Sequence, residues 1–224
     1  MTATIAPGTV SPTRRSVYGS SFLPGTAIEV VSANIARCPR RSALFDFDGT
    51  LSLIREGWQG VMIPMMVEIL LDHARPDETP ESIGLVVSDS VTRLTGKQTI
   101  YQMIELADQV RARGGAPLDP LEYKHEYLRR LWKRIAHRVE ALKEGRVTPD
   151  QMLVPGSVEL LDNLQAREVT MYLASGTDLP YVQDEAAALG LTPYFGDGER
   201  VFGALDDYKR FSKAMVIERI IAEH

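Results

Sequence analysis

Asp46 and Asp48 stand two residues apart in Asp46-Phe47-Asp48-Gly49-Thr50-Leu51. They follow a short apolar run at 42–47. Alternate residues of an extended chain point the same way, so both carboxylates can approach one centre. Crowded carboxylates repel unless a cation sits between them, and hard oxygen ligands favour Mg²⁺. One such carboxylate can attack phosphorus while the other moves a proton to the leaving group. Gly49 permits the tight turn that follows. The four histidines (73, 125, 137 and 224) show no metal-ligand spacing, and neither G-x-G-x-x-G nor G-x-S-x-G occurs.

The elements that must position this pair can be read from periodicity. A short apolar run ending in acids and a glycine predicts a buried parallel strand over 42–47. A second strand is predicted over 169–174, a third, shorter one over 201–202, and an edge strand over 27–35. Helices are predicted over 59–72, 83–94, 99–113, 121–144, 158–167, 181–189 and 212–223. The clearest is 121–144, where Leu121, Leu128, Leu131, Ile135, Val139 and Leu142 form one stripe. Arg129, Arg130, Lys133, Arg134 and Arg138 lie on its other faces. Residues 57–145 therefore form an all-helical block between two strand signals. This pattern predicts an α/β fold with a helical insertion. Residues 1–20, rich in Ser, Thr, Pro and Gly, read as a flexible arm.

Composition narrows the function classes. Thirty acids against 25 bases give a net charge of −5, which disfavours nucleic acid as a partner. No apolar run approaches a membrane span of ~20 residues, and no signal-peptide order is present. One cysteine, Cys38, cannot form an internal disulfide, which suits the reducing cytoplasm. The oligomeric state cannot be read from the sequence.

The run Phe45-Asp46-Phe47-Asp48-Gly49-Thr50-Leu51 resembles the first motif of the haloacid dehalogenase superfamily of phosphatases and phosphomutases. The resemblance implies a Rossmann-like parallel-sheet core (42–56 and 146–224) with an all-helical cap (57–145); residues 1–41, an arm and possible edge strand, lie outside it. It implies Asp46 as nucleophile and Asp48 as general acid/base. Mg²⁺ would be held by the Asp46 carboxylate and the Asp48 backbone carbonyl. The second motif, an apolar strand ending in Ser or Thr, matches Ser175, whose hydroxyl would bind phosphate with the Gly176 N–H. A serine there could equally cap a helix. The third, a Lys opening a helix, matches Lys213, with Lys209 as rival. The fourth, an acidic pair some 20 or more residues beyond the Lys, finds only 11 residues left after Lys213. Gly196-Asp197-Gly198 reads as a turn, and Asp178, Asp206 and Asp207 are candidate substitutes. By this reading the chain ends before the family's last strands.

In the family's cap position, 52–58 would be hinge and flap. Arg55 would meet an anionic substrate and Trp58 a sugar face. Arg93, Lys97 and Gln98 would form a polar specificity loop. The implied activity is Mg²⁺-dependent hydrolysis of a small phosphorylated metabolite, such as a sugar phosphate. A phosphosugar mutase and a non-catalytic phosphate- or partner-binding protein are the alternatives. A dehalogenase is disfavoured by Asp48.

Overall fold

The computed structural model describes residues 21–26, 29–30 and 41–223. The expected arm at 1–20 and most of the strand expected at 27–35 lie outside them. Of that strand, β2 (Glu29–Val30) is described, and it pairs antiparallel with β1 (Ser21–Phe22).

From residue 41 onward, the apolar runs form a three-stranded parallel sheet. β3 (Ser42–Phe45) and β5 (Val201–Ala204) flank β4 (Thr170–Asp178), with Phe45 opposite Leu173 and Leu173 opposite Val201. β4 is central, and Met171 to Ser175 are all buried, as a strand covered on both faces requires.

Five α-helices lie between β3 and β4, the first four being α1 (Gln59–Leu71), α2 (Pro80–Arg93), α3 (Thr99–Ala112) and α4 (Pro120–Lys143). α5 (Ser157–Gln165) leads into β4, α6 (Leu179–Ala188) leaves it, and α7 (Lys213–Glu223) follows β5. Among the described residues, no helix is long and apolar enough to cross a membrane.

Three boundaries differ from the expectation, each for a local reason. α2 and α4 start at Pro80 and Pro120, in stretches expected to be loop. Each Pro sits in the first turn, where its missing N–H is not needed, behind a capping box made by Thr79 with Ser82 or Asp119 with Glu122. β4 runs on through Ser175-Gly176-Thr177-Asp178, past the strand end expected at 174, with an irregularity between Ala174 and Asp178, and α6 follows directly. Ser175 is therefore a strand residue and caps no helix. The buried face of α4 also differs near its start. Tyr123, Lys124 and Tyr127 are buried there, while Leu121 and Leu128 are only partly covered.

One apolar core joins sheet and helices. Phe47, Leu173, Leu161, Val182 and Phe195 are buried on the sheet side, and Met62, Met65, Leu70, Ile83, Met103 and Leu131 on the helical side. Phe47, Leu51 and Ile54 link the two. Burying each such side chain contributes ~1.5–3 kcal/mol.

Gly203 fixes how closely β5 approaches the β4–α6 junction. A Cβ there would lie 2.5 Å from the Leu179 Cα and 2.8 Å from the Thr177 carbonyl oxygen. Gly203→Ala should therefore destabilise the fold by ~1–3 kcal/mol, as overpacking does. A urea midpoint equal to that of the unmodified chain would show that β5 has room to move.

Candidate active site

The turn after β3 aims the first carboxylates. The Phe47 carbonyl accepts the N–H groups of Thr50, Leu51 and Ser52, and Gly49 takes φ +75°. Leu53 N–H donates to the Met152 carbonyl and Val154 N–H to the Leu51 carbonyl, tying the turn to the segment before α5. Phe47 points into the core, so Asp46 and Asp48 both face a cavity of ≈ 130 Å³.

Each carboxylate has its own partners. Asp46 Oδ1 accepts the Phe47 N–H at 2.9 Å, and its Oδ2 lies 2.8 Å from Lys213 Nζ. Lys213 is the first residue of α7, so the structure brings in Lys213 and not Lys209, which stacks against Tyr208. Asp48 Oδ2 accepts from the hydroxyls of Thr177 (2.8 Å) and Ser175 (3.2 Å), and Thr177 N–H donates to Ser175 Oγ. The Asp48 Oδ1 atom is buried with no hydrogen-bond partner, and Arg55 Nε stands 3.9 Å away. Burial pushes the Asp48 carboxyl above its ordinary value; Arg55 and the Thr177 hydroxyl oppose this more weakly.

Arg55 lines the cavity, yet its Nε and Nη2 are engaged by Glu185 of α6, Nη2 to Oε1 at 2.7 Å. Tyr181 lies under the guanidinium, 5.4 Å from its ring centroid. The charge expected to meet a substrate anion is thus already balanced. Arg138 on α4 donates to the carbonyls of Ile54 (2.8 Å) and Glu56 (3.1 Å), fixing the segment that carries Arg55.

The loop after α2 approaches the end of β4. A Cβ on Gly176 would lie 2.6 Å from the Lys97 carbonyl oxygen, so only glycine permits this contact. Gln98 Nε2 donates to the carbonyls of Phe211 (2.7 Å) and Tyr208 (3.2 Å) and anchors the loop. Lys97, Trp58, Ser175 and Gly176 line the cavity as expected of them. Arg93 does not, which corrects its place in a specificity loop. α2 continues through it and turns it outward, where it pairs with Glu105 at 3.2 Å.

Of the substitute acids, Asp178 lines the cavity but is ion-paired with buried Lys124. Asp206 and Asp207 are exposed and not part of the cavity wall. Gly196-Asp197-Gly198 is a turn in the left-handed region.

Thr177, Glu185, Lys124, Gln102 and Tyr127 were not singled out as site residues by the sequence. A charge on an apolar helix face, as Glu185 beside Val182 and Ala186, is the signal that could have found two of them.

The donors fit Mg²⁺ in kind. Two carboxylates meet at the cavity, and one buried Asp48 oxygen lacks a hydrogen-bond partner. Mg²⁺ is commonly bound through one or two carboxylates, its own waters and substrate phosphate. Among the described residues, no group of three or more His, Cys, Asp or Glu could hold a metal.

Breaking the buried Arg55–Glu185 pair by Glu185→Gln should cost ~3 kcal/mol, because it leaves a buried charge unpaired. The double change Arg55→Met with Glu185→Leu should cost less than Glu185→Gln alone. Chemical denaturation of the three chains checks this order, and a double change as damaging as Glu185→Gln alone, or more so, would overturn it.

A family model described as haloacid dehalogenase-like hydrolase matches residues 41–209. No curated protein matches significantly. Among solved structures, a predicted phosphoglycolate phosphatase from Haemophilus somnus 129PT is 16% identical, with a TM-score of 0.42 over 75% of this chain and 64% of that one. A HAD family hydrolase from Deinococcus radiodurans R1, with bound phosphate and sodium, is 20% identical, with a TM-score of 0.34 over 74% and 58%. The chain thus spans a little under two thirds of the length of the first of these.

Proposed function

Because this chain belongs to the haloacid dehalogenase-like hydrolase family, we propose that it is a Mg²⁺-dependent phosphomonoesterase acting on a small phosphorylated metabolite such as a sugar phosphate. The observation that carries this reading is the cavity shared by Asp46, Asp48, Ser175, Gly176 and Lys213, with Lys213 Nζ 2.8 Å from Asp46 Oδ2.

In the proposed mechanism, an Asp46 oxygen attacks phosphorus in line and the bond to the leaving alcohol breaks. Asp48, protonated, gives its proton to the leaving oxygen. Burial favours the neutral carboxyl, so it suits Asp48 to that acid role. The products of this step are an aspartyl-phosphate on Asp46 and a free alcohol. Asp48, now ionised, takes a proton from water as the water attacks phosphorus, releasing phosphate and restoring Asp46. Lys213 offsets negative charge on the nucleophile and the phosphoryl oxygens, and the Gly176 N–H and Ser175 hydroxyl bind phosphoryl oxygens. A ligand oxygen would compete with Asp48 for the single Ser175 proton. Mg²⁺, held by the Asp46 carboxylate and the Asp48 carbonyl, would supply further charge neutralisation at the phosphoryl group.

The domain assignment belongs to the same proposal. Residues 42–56 and 146–224 act as the catalytic core, and 57–145 as a cap that keeps bulk water from the site. In this division residues 1–41 are the N-terminal arm and possible edge strand, and Cys38 suits a cytoplasmic setting.

Phosphate release over a panel of sugar and small-alcohol phosphates tests this. Release should require Mg²⁺ and stop on chelation. Asp46→Asn should bring it to background, and Asp48→Asn should slow it by ~10²–10⁴. Full turnover in Asp46→Asn would overturn the nucleophile assignment.

A further inference from the structure

The cavity has two chemically different ends. Asp46, Asp48, Ser175, Gly176 and Lys213 form the charged end. The other is built by the helical insertion, from Trp58, Met62, Gln102, Tyr127 and Leu128. Gln102 of α3 and Tyr127 of α4 are each only 4% exposed. Among the described residues, neither the Gln102 amide nor the Tyr127 hydroxyl has a hydrogen-bond partner. Both residues line the cavity, and the Tyr127 phenol lies close enough to Asp48 and Arg55 to feel their charges. Buried polar groups in folded proteins nearly always find partners, so these two require one from whatever fills the cavity.

Three of the four cations nearby are already committed. Arg55 is balanced by Glu185, Lys124 by Asp178 and Lys213 by Asp46. The fourth, Lys97, lines the cavity but is an exposed residue, and its backbone carbonyl abuts Gly176. A carboxylate placed against Gln102 and Tyr127 would be buried without a cation, which is unfavourable. A hydroxyl there would meet a carboxamide and a phenol, each able to donate and accept. At ≈ 130 Å³ the cavity is small, which suits a small leaving group.

We infer that Gln102 and Tyr127 form the subsite that reads the leaving group, and that this group is a small, neutral, hydroxylated alcohol and not a carboxylate. The inference rests on the phosphomonoesterase reading for the placement of the phosphoryl group, but it can be tested by binding alone.

Three phosphomonoesters of three carbons separate the possibilities: glycerol 3-phosphate, propyl phosphate and 3-phosphoglycerate. Calorimetry in the Asp46→Asn chain measures binding with nothing consumed. Glycerol 3-phosphate should bind at least ~10-fold tighter than propyl phosphate, because the latter leaves the amide and phenol unpaired. It should also bind tighter than 3-phosphoglycerate. Gln102→Leu and Tyr127→Phe, each added to that chain, should bring glycerol 3-phosphate toward the propyl phosphate value. Propyl phosphate should bind to both variants at least as tightly as before, because no polar group is then left unpaired, and this also reports an intact fold. Equal binding of the first two esters, tightest binding of 3-phosphoglycerate, binding of none, or equal weakening of all three in the variants would overturn the inference. Phosphate release from the same esters by the unmodified chain is read separately. Discriminating binding without release would remove the phosphatase reading and leave the subsite standing.

Discussion

Two carboxylates facing one small cavity repel, and the surrounding structure is arranged around that repulsion. Lys213 stands on Asp46. Asp48 receives two hydroxyl hydrogens from β4, with a guanidinium at 3.9 Å. These partners come from the far end of the chain, from the strand beside β3 and from the turn after it. The parallel pairing of β3 with β4 is what brings Ser175 and Thr177 to Asp48. The Arg55 guanidinium would itself be an unpaired buried charge without Glu185. So a single requirement, keeping Asp46 and Asp48 together, reaches through α6 and α7.

The helical insertion is tied to the rest by contacts of unequal weight. Lys143 with Asp184 is an exposed pair and worth little. Lys124 with Asp178 is largely buried, and Gln98 holds two carbonyls of the segment before α7. The contact of the Lys97 carbonyl with Gly176 allows no side chain. These buried contacts ring the cavity. Whatever loosens them opens the site, so the position of the insertion and access to Asp46 are one property. The same segments carry Gln102 and Tyr127, so these contacts also hold the proposed recognition groups at the cavity.

Much of this was legible in the sequence, because it depends on local pattern. The 3.6-residue spacing along α4, the apolar run of β3 and the Asp46–Asp48 spacing each follow from neighbours in the chain. Helix starts at Pro80 and Pro120 were legible too, since the capping residues are adjacent, but proline was read there as a break. What was hidden depends on partners far apart. Nothing near Arg55 says that Glu185, 130 residues on, would take its charge. Lys124 looks like a solvated residue on a polar helix until Asp178 is placed beside it. The run Ser175 to Asp178 has helix-starting residue types, and only pairing with β5 makes it a strand.

The charge balance of the site gives a reason for the proposed metal that is independent of donor type. With Asp48 ionised, Asp46, Asp48, Asp178 and Glu185 carry four negative charges, and Arg55, Lys97, Lys124 and Lys213 carry four positive ones. The walls are then neutral before any ligand arrives. A phosphomonoester dianion entering this half-closed volume adds two negative charges that no uncommitted group there offsets, apart from the Lys97 charge already counted. Its entry is unfavourable in a low-dielectric site unless two positive charges come with it. A divalent cation supplies that number, and protonation of Asp48 supplies half of it. The acid role proposed for Asp48 and the divalent metal proposed beside it therefore meet the same electrostatic need, one by a proton and the other by an ion.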